Sequence, residues 1–161
     1  YAKAQKLLES AIALKQDATV NNNLGVVHAR MGHKREAAQC FDKAKLRKEA
    51  RYNMGLVLME DGNYAKAIPY LKDQPNIYLA YSQLMNNDNR AALNTFHKIK
   101  MQNAMDYYLM AVAAARVKDT KEMGAALTKA VDMQPDLKKR AATDIAFYPY
   151  KGDPVYMQIV K

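Results

Sequence analysis

The stretch Asn23-Leu24-Gly25-Val26-Val27 decides the fold, because a close copy of it, Asn53-Met54-Gly55-Leu56-Val57, stands 30 residues further along the chain. In both copies a second glycine follows the first at a distance of seven residues, at Gly32 and Gly62. A glycine within a helix lets a neighbouring helix pack closely, and a glycine just beyond a helix end suits a left-handed C-cap. The spacing therefore predicts, in each copy, a first helix that ends in a short turn.

A second helix is predicted after each turn. In both copies an alanine stands 12 residues after the first glycine, and a large apolar residue follows four residues later, giving the pairs Ala37/Phe41 and Ala67/Leu71. Residues four positions apart share one face of a helix, so each pair indicates the face that packs against the first helix. Weaker copies follow the same offsets at Ala80, Ala92, Phe96, Ala111, Met123, Leu127 and Ala130, and the chain begins inside a copy at Ala4, Leu8 and Ala11.

This pattern resembles the tetratricopeptide repeat (TPR) family over about residues 1–135. The residues that carry the resemblance are Leu24, Gly25, Gly32, Ala37, Phe41 and Ala44 in the best copy, and Gly55, Gly62, Tyr64, Ala67 and Leu71 in the next. The resemblance implies an all-α fold, a right-handed superhelical stack of antiparallel helix pairs of the TPR-like α-solenoid type. The period departs from the family value of about 34 residues, and Pro69 is expected to shorten its helix and make residues 68–76 irregular.

The expected organisation is one repeat domain followed by a short C-terminal segment. Helices are predicted near residues 2–15, 19–31, 34–47, 49–60, 64–73, 76–86, 89–100, 104–117, 120–133 and 136–147. The domain comprises a half repeat at 1–17, repeats at about 18–47, 48–73, 74–103 and 104–135, and a capping helix at 136–147. Residues 148–161 form either a tail or the start of a following region. Because the chain opens at Tyr1 without an initiator Met, we expect a processed or excised piece of a longer protein.

A partner-binding groove is implied by the resemblance, because the first helices of the family line a concave surface. The corresponding positions are Asn22, Val26, Arg30, Tyr52, Leu56, Met59, Tyr81, Leu84, Tyr108, Val112 and Arg116. Such an apolar and aromatic lining suits an extended peptide or helix with hydrophobic anchors. The alternative is that several of these residues are covered by the chain's own tail or pack together.

One subset of the family clamps a terminal carboxylate with Lys, Asn and Arg at set groove positions. Here those positions hold Asn22, Val26, Asn53, Gln74 and Tyr78, and only Asn53 matches. A carboxylate clamp is therefore not favoured.

The formal net charge is +9, from 25 basic and 16 acidic residues. The charges are spread along the chain, which favours a solvated surface over a nucleic acid, an anionic membrane or an acidic partner. The densest basic stretch is Lys43, Lys45, Arg47, Lys48 and Arg51. No stretch approaches the roughly 18 apolar residues of a membrane span.

The sequence offers no constellation typical of catalysis. His28, His33 and His97 are dispersed, so no metal site is predicted; His28 is interpreted as a packing residue and His33 as solvated. Cys40 is the only cysteine and is interpreted as a buried, inert thiol. No glycine-rich phosphate loop is present, and we predict neither a cofactor nor enzyme activity.

The favoured function is a non-catalytic scaffold that binds a peptide or helix of another protein. One alternative is an assembly module of a larger bacterial cell-envelope protein, in which the repeats position neighbouring domains. The residue usage resembles that of exported bacterial repeat proteins, which favours a periplasmic or outer-membrane-associated location over the cytoplasm. A further alternative is a basic RNA-binding helical repeat.

Overall fold

The computed structural model describes residues 1–161 and contains helices and no strand, so the all-α prediction is confirmed. In chain order the α-helices are α1 (Ala2–Leu14), α2 (Ala18–Arg30), α3 (Lys34–Lys43), α4 (Lys48–Glu60), α5 (Tyr64–Leu71), α6 (Ile77–Met85), α7 (Asn89–Phe96), α8 (Ala104–Arg116), α9 (Thr120–Met133), α10 (Leu137–Thr143) and α11 (Pro154–Val160). A 3₁₀ helix at Ile145–Tyr150 lies between α10 and α11.

The ten predicted helices are present, but α3, α7 and α10 each end four residues before the expected position. At the end of α3 the backbone tightens, since the Ala44 N–H donates to the Phe41 carbonyl at 3.1 Å. Such three-residue bonds close a helix end rather than extend it. After α10 the chain turns to an extended conformation at Asp144, whose side chain caps the 3₁₀ helix by accepting from Ala146 N–H.

The helices form two compact units, Tyr1–Gln74 and Pro75–Lys161. In the N-terminal unit, α2 packs on α3 and α4 packs on α5, while α1 packs on α2 and buries no residue fully. The buried core of this unit includes the cluster Ala37, Phe41, Ala44, Ala50, Met54 and Val57, together with Leu24, Val27, Cys40, Ala67 and Leu71.

In the C-terminal unit, α6 packs on α7 and α8 packs on α9. The residues after α9 fold back onto this framework, with the 3₁₀ helix against α8 and α11 against α9. Asp153 starts α11 by accepting from Val155 N–H and Tyr156 N–H, and Pro154 occupies the first turn. The large side chains of this core are almost fully buried: Leu84, Phe96, Tyr108, Met123, Leu127, Phe147 and Tyr156.

The turn between paired helices has the same backbone geometry in four places. Gly32 and Gly62 have φ of 80° and 75°, which confirms the predicted left-handed caps. The same offset places Asn87 and Lys118 at φ of 63° and 64° in the weaker copies. In each turn the next residue bonds back five positions, as between His33 N–H and the His28 carbonyl at 2.9 Å.

The two glycines inside first helices permit the predicted close crossings. A Cβ on Gly25 would lie 2.5 Å from the Phe41 ring, and one on Gly55 would lie 2.8 Å from Leu71. Atoms cannot approach so closely, so these positions exclude larger residues as long as the facing side chains stay in place. Pro69 lies inside α5, which spans only eight residues, as expected for a helix that contains a proline.

Replacing Lys118 by glycine is expected to stabilise the fold. A lysine at φ of 64° carries left-handed backbone strain that glycine lacks, so Lys118→Gly should raise the free energy of unfolding by about 0.5–1 kcal/mol. The control Ala125→Gly changes an exposed position within the regular helix α9 and should lower the free energy of unfolding by about 1 kcal/mol. Urea unfolding followed by circular dichroism measures both, and a destabilised Lys118→Gly chain would contradict the assignment.

Candidate partner-binding surface

In the N-terminal unit, the first helices α2 and α4 present a partly exposed apolar face. Val26, Leu56 and Met59 are partly exposed, whereas Leu24 and Val27 are 6% and 8% exposed. The helical period explains this contrast, because residues three and four positions apart share a face, so one stripe of each helix faces the core and the residues beside it reach the surface. We call the surface formed by Asn22, Val26, Asn53, Leu56 and Met59 the α2–α4 face.

A pair of asparagines joins the two helices of this face. The Asn53 side-chain amide donates to Asn22 Oδ1 at 3.0 Å, and both residues are partly buried. An asparagine side chain carries two amide N–H donors and one carbonyl acceptor, so this bond uses only one of the two N–H donors of Asn53. Asn53, the one residue that matched the carboxylate-clamp pattern, is thus hydrogen-bonded to the preceding repeat.

A depression of about 550 Å³ lies between α4 and α5 in the same unit. It contains the predicted groove residue Tyr52, beside Asn53 of the α2–α4 face. Its other lining residues are Lys48, Glu49, Tyr70, Leu71, Asp73 and Gln74. Tyr70 and Asp73 were not predicted as site residues, because family positions on first helices do not indicate what the short helix α5 contributes.

Two basic side chains lie near the turn between α2 and α3, and one of them, Lys34, bonds to the neighbouring repeat. Arg30 is exposed in the last turn of α2. Lys34 Nζ lies 3.2 Å from Asp61 Oδ1 and donates to the Glu60 carbonyl at 3.0 Å. A cation is favoured at the C-terminal end of a helix, so Lys34 stabilises the end of α4.

In the C-terminal unit, the exposure predicted for Leu84, Tyr108 and Val112 is wrong. Their exposed fractions are 0%, 1% and 5%. The residues after α10, at 144–161, which we call the C-terminal segment of the structure, explain the burial of Tyr108, because the Phe147 ring meets it edge-on at a centroid distance of 5.8 Å. The Tyr108 hydroxyl donates to Asp144 Oδ2 at 2.8 Å. Asp144 and Phe147 belong to the region predicted as a capping helix at 136–147, and of the predicted tail Tyr150 reaches α8, where its hydroxyl donates to the Ala115 carbonyl at 2.8 Å.

The remaining predicted positions of this unit differ in exposure and contacts. Arg116 is exposed as a residue, but its guanidinium donates to the Leu84 carbonyl at 3.2 Å and so ties α8 to the end of α6. Tyr81 is partly exposed on α6. Val112 belongs to the buried core around Tyr108. The predicted groove residues therefore fall into an accessible set in the N-terminal unit and a mostly covered set in the C-terminal unit.

Burial dominates the electrostatics of the tyrosines that anchor the C-terminal segment. Desolvation raises the pKa of Tyr108, and the hydrogen bond and the negative charge of Asp144 raise it further. Desolvation also raises the pKa values of Tyr150 and Tyr156. Their hydroxyls donate to the carbonyls of Ala115 and Ala141, at 2.8 and 3.0 Å.

The histidines and the cysteine lie apart from the α2–α4 face. His28 is 8% exposed and packs 5.9 Å from the exposed His33 ring, and His97 Nε2 lies 2.8 Å from Glu122 Oε1. Cys40 is 7% exposed, and burial raises the pKa of its thiol, which confirms the prediction of a buried cysteine. The chain contains no group of three or more His, Cys, Asp or Glu side chains arranged to hold a metal ion. None of its helices has both the length and the apolar character needed to cross a membrane.

Comparisons with known proteins agree with this architecture. Residues 18–50 and 48–74 each match the sequence model of the tetratricopeptide repeat family. The fold is similar to the crystal structure of YrrB, described as a TPR protein with an unusual peptide-binding site. That similarity has a TM-score of 0.74 at 23% sequence identity and covers 84% of this chain and 78% of the other. A search of curated proteins finds no match.

The raised tyrosine pKa values predict that stability falls above pH 10. The neutral phenol of Tyr108 is favoured in the folded state, so its contribution is complete below the ordinary pKa of about 10 and is lost as pH rises beyond it. Tyr108→Phe should lose about 1–3 kcal/mol at neutral pH, because the hydrogen bond to Asp144 is removed.

The difference between the variant and the unsubstituted chain should then shrink between about pH 10 and 12, by up to about 1.4 kcal/mol per pH unit. Urea unfolding at a series of pH values measures this difference. Parallel pH curves for the two proteins would contradict the role assigned to Tyr108.

Proposed function

Because residues 18–74 consist of tetratricopeptide repeats, we propose that this chain is a non-catalytic scaffold that binds a segment of another protein on the α2–α4 face. The observation that carries the proposal is the contrast between the units. In the N-terminal unit the first helices keep Val26, Leu56 and Met59 partly exposed, whereas the first helix α8 of the C-terminal unit is covered by the chain's own C-terminal segment.

The chemistry of the face suits a peptide in extended or helical form. Apolar side chains on two neighbouring helices offer burial to hydrophobic anchors, which supply most of the free energy in such interfaces. The Asn22–Asn53 pair retains an amide donor and an acceptor for the polar backbone of an extended peptide. The fold similarity to a protein with a peptide-binding site supports the same class of partner.

The mechanism requires shape and burial and no covalent step. A partner segment would place its anchors over Val26 and Leu56 while its backbone meets the asparagine pair. Arg30 stands exposed at the end of α2 and favours an acidic group in that part of the segment. The partner is a segment of a separate protein or of a neighbouring domain of a longer chain, and both use the same face.

The proposal predicts that Leu56 contributes to affinity. Peptides selected from a random displayed library on the immobilised chain would be labelled, and their dissociation constants measured by fluorescence anisotropy. Leu56→Ala should weaken binding about tenfold, since it removes an apolar contact at the centre of the face.

The matched control is Leu14→Ala, because Leu14 is 90% exposed on α1 and lies outside the face. This control should leave the affinity unchanged, and circular dichroism should show that both variants keep their helices. Equal affinities for Leu56→Ala and the unsubstituted chain would rule out the α2–α4 face as the binding surface.

A further inference from the structure

The connection between α3 and α4 carries a fully exposed leucine among basic residues. Residues 43–48 read Lys-Ala-Lys-Leu-Arg-Lys, and Leu46 is 96% exposed. A single exposed leucine is ordinary on a protein surface. Leu46, however, stands at the rim of a depression with an apolar floor, and an exposed apolar side chain beside an apolar depression is a feature of binding sites.

The depression has a volume of about 310 Å³ and is formed by α3, α4, α5 and the connection itself. Its apolar walls come from Phe41, Met54 and Tyr70, of which the first two are 1% and 9% exposed and therefore fixed by the core. The volume is at the lower end of the range of about 300–1,000 Å³ for ligand pockets. It can accept an apolar side chain but not a large cofactor.

The rim of the depression is basic. Lys45, Leu46 and Arg51 line it, with Asp42 beside them. The ion pairs here are long, 3.7 Å for Lys45–Asp42 and 3.6 Å for Arg51–Asp73, and the paired side chains are between 43% and 67% exposed. Exposed pairs of this kind are readily exchanged for other partners.

The guanidinium of Arg51 is incompletely paired within the chain. Its Nε–H is buried and donates to no acceptor within the chain. A ligand at the rim would meet the exposed end of this guanidinium, where Nη2 lies 3.6 Å from Asp73 Oδ2, and not the buried Nε–H. A carboxylate oxygen is the acceptor that a guanidinium group prefers.

We propose that this pocket, which we call the basic corner, binds an acidic peptide segment whose apolar side chain enters the depression between Leu46 and Tyr70. Carboxylates flanking that side chain would meet Lys45 and Arg51 at the rim. The site differs from the α2–α4 face, because it draws on the second helices α3 and α5 and on the connection between α3 and α4.

The shape of the basic corner decides against other anionic partners. A bilayer surface is flat and could take up Leu46, but it could not reach Phe41 or Met54 at the floor of the depression. An RNA strand supplies phosphates for the lysines but no aliphatic side chain for the apolar walls. Of these three partners, only a peptide combines the negative charge with an apolar side chain of the right size.

The test uses the full chain and two short fluorescent peptides of equal negative charge, one with a central leucine flanked by acidic residues and one with serine in its place. At physiological salt the leucine peptide should bind about tenfold more tightly, because burying one leucine side chain is worth about that factor or more. Leu46→Ser should reduce this preference by removing one wall of the pocket. Fluorescence anisotropy measures each affinity.

Charge variants separate a specific site from general attraction. Lys45→Glu should weaken binding of the leucine peptide about fivefold or more, because it places a carboxylate at the rim. The control Lys66→Glu makes the same change in net charge at an exposed position of α5 outside the pocket, and it should have a smaller effect. Leu56→Ala, on the α2–α4 face, should leave this binding unchanged, so the two sites are tested separately.

Three results would overturn the proposal. Equal affinity for the leucine and serine peptides would show that charge alone is responsible. Equal losses for Lys45→Glu and Lys66→Glu would show that no particular site is involved. Leu46-dependent binding to phosphatidylglycerol vesicles without discrimination between the peptides would assign the corner to a membrane surface instead.

Discussion

The structure depends on the close crossing between the first and second helix of each repeat. At Gly25 and Gly55 the absence of a side chain allows Phe41 and Leu71 to lie against the helix backbone. In the later copies alanine takes the place of glycine, and Ala80 is fully buried. Since an α-helix buries its apolar stripe only against another element, these crossings determine which face of each first helix is buried.

Whether a partner can reach a first helix depends on what covers the face that does not pack on its second helix. In the C-terminal unit, Phe147 and Tyr156 fill the space next to α8 and α10, and their rings stack on each other at 5.9 Å. Terminal repeats of stacked helical proteins need a cap, because their outer face would otherwise expose core residues to water. The same cap that stabilises α8 removes Tyr108 from the set of surfaces that a partner could reach.

Much of the fold could be predicted from the sequence because it depends on spacings of a few residues. The left-handed turns at Gly32 and Gly62 and the short helix at Pro69 follow from backbone chemistry that those residues dictate. Asn87 suits the equivalent turn because asparagine tolerates the left-handed region, whereas Lys118 occupies its turn through the repeat offset and not through its own preference. Local rules thus predicted the elements up to α10, with errors at helix ends, but they did not predict the 3₁₀ helix at Ile145–Tyr150 or α11.

The candidate site was predicted less completely, because it depends on contacts between distant residues. The family positions placed Tyr108 and Val112 on a first helix, but no repeat offset indicated where Phe147 would pack. The apolar tail was visible in the sequence, yet nothing in it indicated that Phe147 would pack on Tyr108 or that Asp144 would accept a hydrogen bond from Tyr108 across 36 residues. The basic stretch of the basic corner was visible in the sequence, but its apolar pocket was not, since Tyr70 and Leu46 line the same depression only in the folded chain.

The most direct test of the account is a map of amide chemical shifts, recorded on the isotope-labelled chain as a library-selected peptide is added. The account predicts that shifts move at Val26, Asn53 and Leu56 and stay constant at Tyr108 and Val112, which the C-terminal segment covers. Changes centred on α8, with α2 and α4 unaffected, would contradict it.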